Sequence, residues 1–276
     1  MPQARVKPPD TGPGRRSNRP GLAVDFDDFA GDYARQVDRV VAFSGQAQGF
    51  FLDAKARRLA AEVRRRGLDA AAVRALEVGC GAGLMQLRLR GSVGRLWGLD
   101  VSLGSLARAG STVDRATLVA ADGRRVPFGD GSFDLVFAVC VLHHLPPGSR
   151  EAMVAEMARL TRPGGLVALW EHNRWNPLTR RVVARCPFDR DAVLLSLPEA
   201  RSLLRGAGLE RIGSCYSLFF PWRGRGWQAA EAILAQLPLG AQFLACGIKA
   251  GAGAARHAGS PVVRVEPGRR SEPRSR

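Results

Sequence analysis

The sequence predicts an α/β fold: a seven-stranded, mostly parallel sheet with helices on both faces. Two observations carry that prediction. From Arg74 onward, short apolar runs alternate with helical stretches, the pattern of successive βα units. The first of those runs also leads directly into Gly79-Cys80-Gly81-Ala82-Gly83, a glycine-rich turn ahead of a helix. A length of 276 residues suits one large domain, and 46% apolar with 24% charged residues is ordinary globular composition.

Phe29, Tyr33, Val37, Val40 and Val41 fall at helical spacing, and Leu52, Ala56, Leu59, Ala60 and Val63 do so again. Residues 26–66 therefore read as two helices broken near Gly45, forming an N-terminal helical lid. Strands are expected at Ala75–Val78, Arg95–Leu99, Thr117–Ala120, Leu135–Val139 and Leu166–Trp170. Helices are expected near residues 83–90, 103–109, 150–161 and 199–206. Glu210–Phe219 and Gln242–Lys249 are two late strands after a long connection, with a helix near 227–236 between them. No internal repeat interrupts this order.

The formal net charge is +16, from 41 Lys+Arg against 25 Asp+Glu. Residues 1–21 carry +4 of it and residues 249–276 carry +5, in stretches rich in Pro, Gly, Ser and Arg. Such composition does not offset the entropy of ordering, so both ends read as disordered basic tails around a domain at 22–248. Of the 41 basic residues 38 are Arg, in short runs that fit a solvated surface, so charge alone does not direct the folded part to nucleic acid. Five widely spaced Cys with no C-x-x-C pair suggest neither a disulfide framework nor a zinc cluster, and no metal site is expected. The longest apolar run, Leu135 to Leu142, is far too short to span a bilayer, and the N-terminus lacks a signal-peptide core. A reduced, cytoplasmic, soluble protein is the expectation.

Glycines in the Glu77-Val78-Gly79-Cys80-Gly81-Ala82-Gly83 turn allow a ligand to approach main-chain N–H groups without Cβ interference. The dinucleotide fingerprint requires glycine where this chain has Leu84, so the loop is instead acidic-x-G-x-G-x-G. Asp100 lies 23 residues after Glu77, close to the offset of a ribose-binding carboxylate, although it also suits a helix N-cap with Ser102 as competitor. Asp122-Gly123 follows the third strand, Pro127-Phe128-Gly129-Asp130-Gly131-Ser132-Phe133-Asp134 leads into the fourth, and Leu160-Thr161-Arg162-Pro163-Gly164-Gly165 turns into the fifth.

These four motifs, in this order, resemble the class I S-adenosylmethionine-dependent methyltransferases, of the small-molecule, type 11-like group, over residues 26–249. The resemblance implies a Rossmann-like sheet whose last strand is antiparallel, and S-adenosyl-L-methionine as cofactor. It implies that Gly79, Cys80, Gly81 and Gly83 pass under the methionine part while Glu77 holds its amino group. Asp100 and Val101 would meet the ribose, Asp122 and Gly123 the adenine, and Cys140 would border the cofactor. Phe26-Asp27-x-x-Ala30-x-x-Tyr33 is similar to the lid helix of small-molecule methyltransferases, which places Tyr33 over the cofactor; Ala34 stands where those relatives carry an acid. The stretches Glu171 to Arg180 and Cys186-Pro187-Phe188-Asp189 are similar to patterns in bacterial methyltransferases.

Methyl transfer is an in-line displacement that alignment alone accelerates, so a catalytic base is optional. His143 and His144 follow the fourth strand and His172 the fifth, at the sheet edge where ligands bind. His172 and His144 are the candidate catalytic residues, against the alternative that each is structural. Arg174, Arg180 and Arg181 could clamp an acidic substrate or be solvated, while Cys186-Pro187-Phe188-Asp189-Arg190-Asp191 and Phe219-Phe220-Pro221-Trp222 would complete the pocket wall. The expected acceptor is a small molecule: a lipid, sugar or secondary metabolite. An RNA methyltransferase is the alternative the charge suggests, but strand four ends in Val139-Cys140-Val141 and offers no clamp for a base amine. A non-catalytic cofactor-binding protein is the third reading.

Overall fold

The computed structural model describes residues 26–29, 31–113 and 116–251; of the basic tails expected at 1–21 and 249–276, all but residues 249–251 lie outside these. Seven strands form one sheet: β1 (Arg74–Val78), β2 (Arg95–Asp100), β3 (Ala116–Ala120), β4 (Phe133–Val139), β5 (Thr161–His172), β6 (Leu209–Ser217) and β7 (Gln242–Lys249). Their spatial order is β3-β2-β1-β4-β5-β7-β6. Pairings from β3 through β5 are parallel, and β7 runs antiparallel to both β5 and β6, so the last strand in the chain is inserted beside the edge. β1 pairs with both β2 and β4, which makes it the point where strand order reverses and a crevice opens at the carboxyl ends.

Side-chain alternation assigns the two faces. Leu76, Val136, Ala138, Val167 and Leu169 point to one core, beneath helices α5 (Pro147–Leu160) and α7 (Leu197–Gly206). Ala75, Leu135, Phe137, Leu166, Ala168 and Trp170 point to the other, beneath α2 (Gln48–Arg65) and α3 (Leu84–Leu89). Central strands covered on both faces have to be almost wholly apolar, which is why each read as an uninterrupted run.

The expected strands are all present, with shifted ends. β5 begins at Thr161 because Thr161 already pairs with Phe133; the Arg162-Pro163-Gly164-Gly165 turn is the irregularity before Leu166 takes up the register with Leu135. β6 ends at Ser217, where Leu218 adopts φ +61°. Lys249 belongs to β7, not to a tail, and its ammonium donates to the Arg159 carbonyl at 3.1 Å.

The N-terminal pair is α1 (Tyr33–Val41) and α2, with Gly45 at φ +71° between them. The two helices differ in burial, and α1 has no buried residue. Leu59 and Val63 of α2 are fully buried against the sheet, so that helix is a core layer. α4 (Leu103–Thr112) and α8 (Arg225–Leu234) fall near their expected positions. α6 (Pro177–Ala184) was not expected; Asn176 caps it by accepting from Thr179 N–H at 2.9 Å, and Pro177 opens its first turn. No helix among the described residues is long and apolar enough to cross a membrane.

Candidate functional site

The carboxyl ends of β1, β2, β4 and β5 open into a cavity of about 820 Å³, roofed by α1, the following turn and Phe219–Trp222. The glycine loop forms its floor. Gly79, Gly81 and Gly83 all take positive φ, and the N–H groups of Gly79 and Cys80 donate to the Leu99 carbonyl, pinning the loop to β2. The three glycines do different work. A Cβ on Gly79 would meet Val141 Cγ2 at 2.5 Å, and one on Gly83 would meet Val113 Cγ2 at 2.6 Å, so these positions serve close packing. A Cβ on Gly81 would project into open space, because that face borders the cavity.

Asp100, at the end of β2, accepts from Gly81 N–H through Oδ2 and from Ser102 N–H through Oδ1, both at 2.8 Å. These bonds orient the carboxylate and leave lone pairs facing the cavity. Ser102, rather than Asp100, is the N-cap of α4. Ser102 Oγ and Gly104 N–H in turn donate to Asp27, which ties the lid segment to the start of α4.

Glu77 is almost fully buried at the end of β1, and its Oε2 has no hydrogen-bond partner. Burial, then the Asp100 carboxylate, push its pKa well above the usual value, and only Lys55 opposes them. An unpartnered buried carboxylate on a cavity wall is a receptor for a cation. Asp122 also lines the cavity, but its carboxylate is held by Arg124 at 2.7 and 2.9 Å. Tyr33 lines the roof and stacks on Phe188 with ring centroids 4.6 Å apart. Val101 and Cys80 border the cavity as well, whereas Gly83 and Gly123 do not; a Cβ on Gly123 would collide with Met153 at 2.7 Å.

The opposite wall is a polar cluster. Glu171 of β5 is fully buried; it accepts Val141 and Leu142 N–H through Oε1 and pairs with His143 Nδ1 at 2.7 Å through Oε2. That carboxylate shapes the turn after β4, where Cys140 takes φ +57°. Burial alone would lower His143, but Glu171 and Asp189 raise it to about 10. His144 is pushed down to about 3, by burial and by His143 beside it, which leaves it neutral and a weak base. Burial opposes the charge on Asp189, yet the surrounding imidazoles hold it at about 2.

Trp170 Nε1–H donates to Gln242 Oε1 at 2.7 Å, which turns the Gln242 amide nitrogen toward His172 Nδ1 at 3.2 Å. The same amide thus orients the His172 ring, which also faces Cys140. Burial would raise the Cys140 thiol, but Lys55, whose Nζ lies 3.3 Å from Sγ, and His172 bring it down to about 7.

Of the arginines weighed as an anionic clamp, Arg174 pairs with Glu199 at 3.0 Å, and Arg180 and Arg181 are exposed away from the cavity. The sequence marks Glu171 and Asp189 only as members of the Glu171–Arg180 and Cys186–Asp191 stretches, with no role of their own, and Lys55 not at all. Lys55 carried a signal, since it interrupts the apolar face of α2 between Leu52 and Ala56.

Residues 76–169 match the family model of a methyltransferase domain. An uncharacterized methyltransferase of Synechocystis is 35% identical over 109 residues, covering 37% of this chain and 51% of the relative. The 27-O-demethylrifamycin SV methyltransferase of Amycolatopsis mediterranei is 32% identical over 149 residues, 50% of this chain and 54% of the relative. The chain thus spans about half the length of these two curated relatives. Among solved structures, a possible histamine N-methyltransferase of Thermotoga maritima superposes with TM-score 0.59 at 22% identity, covering 81% of this chain and 97% of that one. The magnesium protoporphyrin IX methyltransferase of Synechocystis, with S-adenosylmethionine bound, superposes with TM-score 0.53 at 15% identity, over 81% and 94%.

Proposed function

From a chain that belongs to the class I S-adenosylmethionine-dependent methyltransferases, we propose an enzyme that methylates a small, largely apolar organic acceptor, of lipid or secondary-metabolite class. The unpartnered Oε2 of Glu77 carries this reading. S-adenosylmethionine brings an ammonium that such a carboxylate would hold, and it supplies a methyl group already activated on a sulfonium. The open face of Gly81 leaves room for the chain of that ligand, and Asp100, fixed by two main-chain N–H groups, would accept the ribose hydroxyls. Asp122 would accept from the adenine amine while still paired with Arg124.

The remaining work is alignment and exclusion of water. α1 and Phe219–Trp222 would hold the acceptor against the cofactor, with Val37, Val40, Leu178, Val182, Phe220 and Trp222 as an apolar wall. That wall favours an apolar acceptor over a sugar, and a relative named for 27-O-demethylrifamycin SV is in keeping with an organic acceptor. Cys140, beside Lys55 and His172, and His144 would be polar groups bordering the acceptor. An acceptor beneath a roof of this kind has to be small, which disfavours RNA.

The test is methyl-labelled S-adenosylmethionine incubated with the protein and fractionated cell extract. Label in the low-mass, organic-extractable fraction, absent with Glu77→Gln, is the expected result. Label in RNA, or folded protein that binds no S-adenosylmethionine by calorimetry, would overturn the reading.

A further inference from the structure

His143 and His144 follow β4, while Asp189 closes a short turn after α6, far along the chain. The fold brings their donor atoms together. His143 Nε2 and His144 Nε2 lie 3.4 and 3.3 Å from Asp189 Oδ1, and all three atoms lie within 4.8 Å of one another. We propose that His143 Nε2, His144 Nε2 and Asp189 Oδ1 form a three-ligand site for a zinc-class divalent ion, with its fourth position open to the cavity.

Four observations support it. Oδ1 of Asp189 belongs to a side chain only 7% exposed and has no hydrogen-bond partner. Glu171 Oε2 engages His143 Nδ1 at 2.7 Å, the carboxylate–histidine pairing that fixes a ligating imidazole and turns its other nitrogen outward. In the ion-free protein the His143 imidazolium proton sits against the Asp189 oxygen. A metal ion would displace that proton, with Nδ1–H kept by Glu171, so that the Nε2 lone pair, the Asp189 oxygen and His144 Nε2 converge on one point.

The spacing also discriminates between ions. Two ligands about 2.0–2.1 Å from a tetrahedral centre stand about 3.3–3.4 Å apart, whereas adjacent octahedral ligands at that radius stand about 2.8–3.0 Å apart. The two imidazole-to-carboxylate distances match the tetrahedral edge. Two carboxylates, Glu171 and Asp189, balance the charge of a divalent ion in this buried place. All three ligands line the cavity, so the vacant vertex would take water or an oxygen of a bound acceptor, as open zinc positions do. No metal-ligand spacing is visible along the chain because Asp189 is remote from the His pair.

The test needs neither cofactor nor turnover, so its failure is separable from failure of the methyltransferase reading. Full-length protein is stripped with a chelator and titrated with Zn²⁺ by calorimetry, and separately with Co²⁺ followed in the visible spectrum. The expected result is one ion per chain, intense four-coordinate cobalt bands without thiolate charge transfer, and binding weakened at least about tenfold by His144→Gln and by Asp189→Asn. His257→Gln, in the tail, leaves binding unchanged. Circular dichroism checks each variant; should Asp189→Asn unfold, His144→Gln decides, because its ring is partly exposed at the cavity. No Zn²⁺ or Co²⁺ uptake by the unaltered protein, uptake unaffected by a folded His144→Gln, or uptake that requires His257 would each overturn the proposal in favour of a proton alone between these groups.

Discussion

Glu77 places cofactor binding and stability in opposition, and replacing it with Gln exposes that conflict. Its carboxyl is 2% exposed with one oxygen unpartnered, and its pKa lies well above the ordinary 4.5 because burial and Asp100 disfavour the anion. Above pH 4.5 the unfolded chain releases this proton while the folded protein keeps it. Stability therefore falls as pH rises from there, by about 1.4 kcal/mol per pH unit, until the folded group itself ionises; beyond that point the loss is constant. For a domain of this size 1 kcal/mol corresponds to about 2–4 °C, so the slope amounts to roughly 3–6 °C per pH unit. Glu77→Gln removes the titration. Cofactor-free melting temperatures of variant and parent, compared from pH 4.5 upward, should diverge in favour of the variant. Saturating S-adenosylmethionine reverses the order, since the parent gains ligand stabilisation. The variant leaves an ammonium unpaired at a cost of about 2–5 kcal/mol, some 30-fold or more in affinity. A melting difference that stays flat with pH, or unchanged affinity in the variant, would refute the reasoning.

Three other perturbations separate roles that lie close together. Gly81→Ala places its Cβ in open space but at φ +52°, so it should cost about 1–3 kcal/mol of strain and abolish cofactor binding; Gly79→Ala, whose Cβ meets Val141 at 2.5 Å, should lose more stability in the same denaturant titration. Cys140 should alkylate with a midpoint near pH 7, rising toward ordinary thiol values in Lys55→Met, as followed by mass spectrometry of iodoacetamide-treated protein across pH; an unshifted midpoint would disprove the Lys55 assignment. Glu231 accepts the N–H groups of Leu218, Phe219 and Phe220 at 2.9, 2.6 and 3.1 Å, so Glu231→Ala should leave three donors unpaired at about 1–3 kcal/mol each. Hydrogen exchange at 218–220 should accelerate, and KM for the acceptor should rise more than KM for the cofactor.

The two halves of the site differed in how legible they were, for a physical reason. Glu77, Gly81, Asp100 and Asp122 belong to consecutive βα units, where each strand delivers its last residue to one edge at a regular chain interval. Spacing along the sequence is then a direct measure of position in space, and burial on both faces makes the central strands readable as continuous apolar runs. Even there, short-range chemistry was missed: Arg124, two residues on, occupies the Asp122 carboxylate.

The acceptor side has no such periodicity. Lys55 comes from a helix that precedes the sheet, Glu171 from β5, Asp189 from a turn beyond α6, and Phe220 from the connection after β6. Asn176-Pro177 is a helix start inside a stretch noted only for its similarity to bacterial methyltransferases, and without α6 there is no geometry to return Asp189 to the His143-His144 turn. Glu171 shows what this concealed. One buried carboxylate bonds two main-chain N–H groups after β4 and the ring of His143, so it sets the shape of the turn and the direction of the imidazole together. Its neighbour His172 drew attention as the candidate base because histidine is the usual one. Yet a side chain that alternates across a strand faces the opposite way from the residue beside it. Thus Glu171 reaches back under β4, while His172 meets Gln242 and Cys140 on the other side.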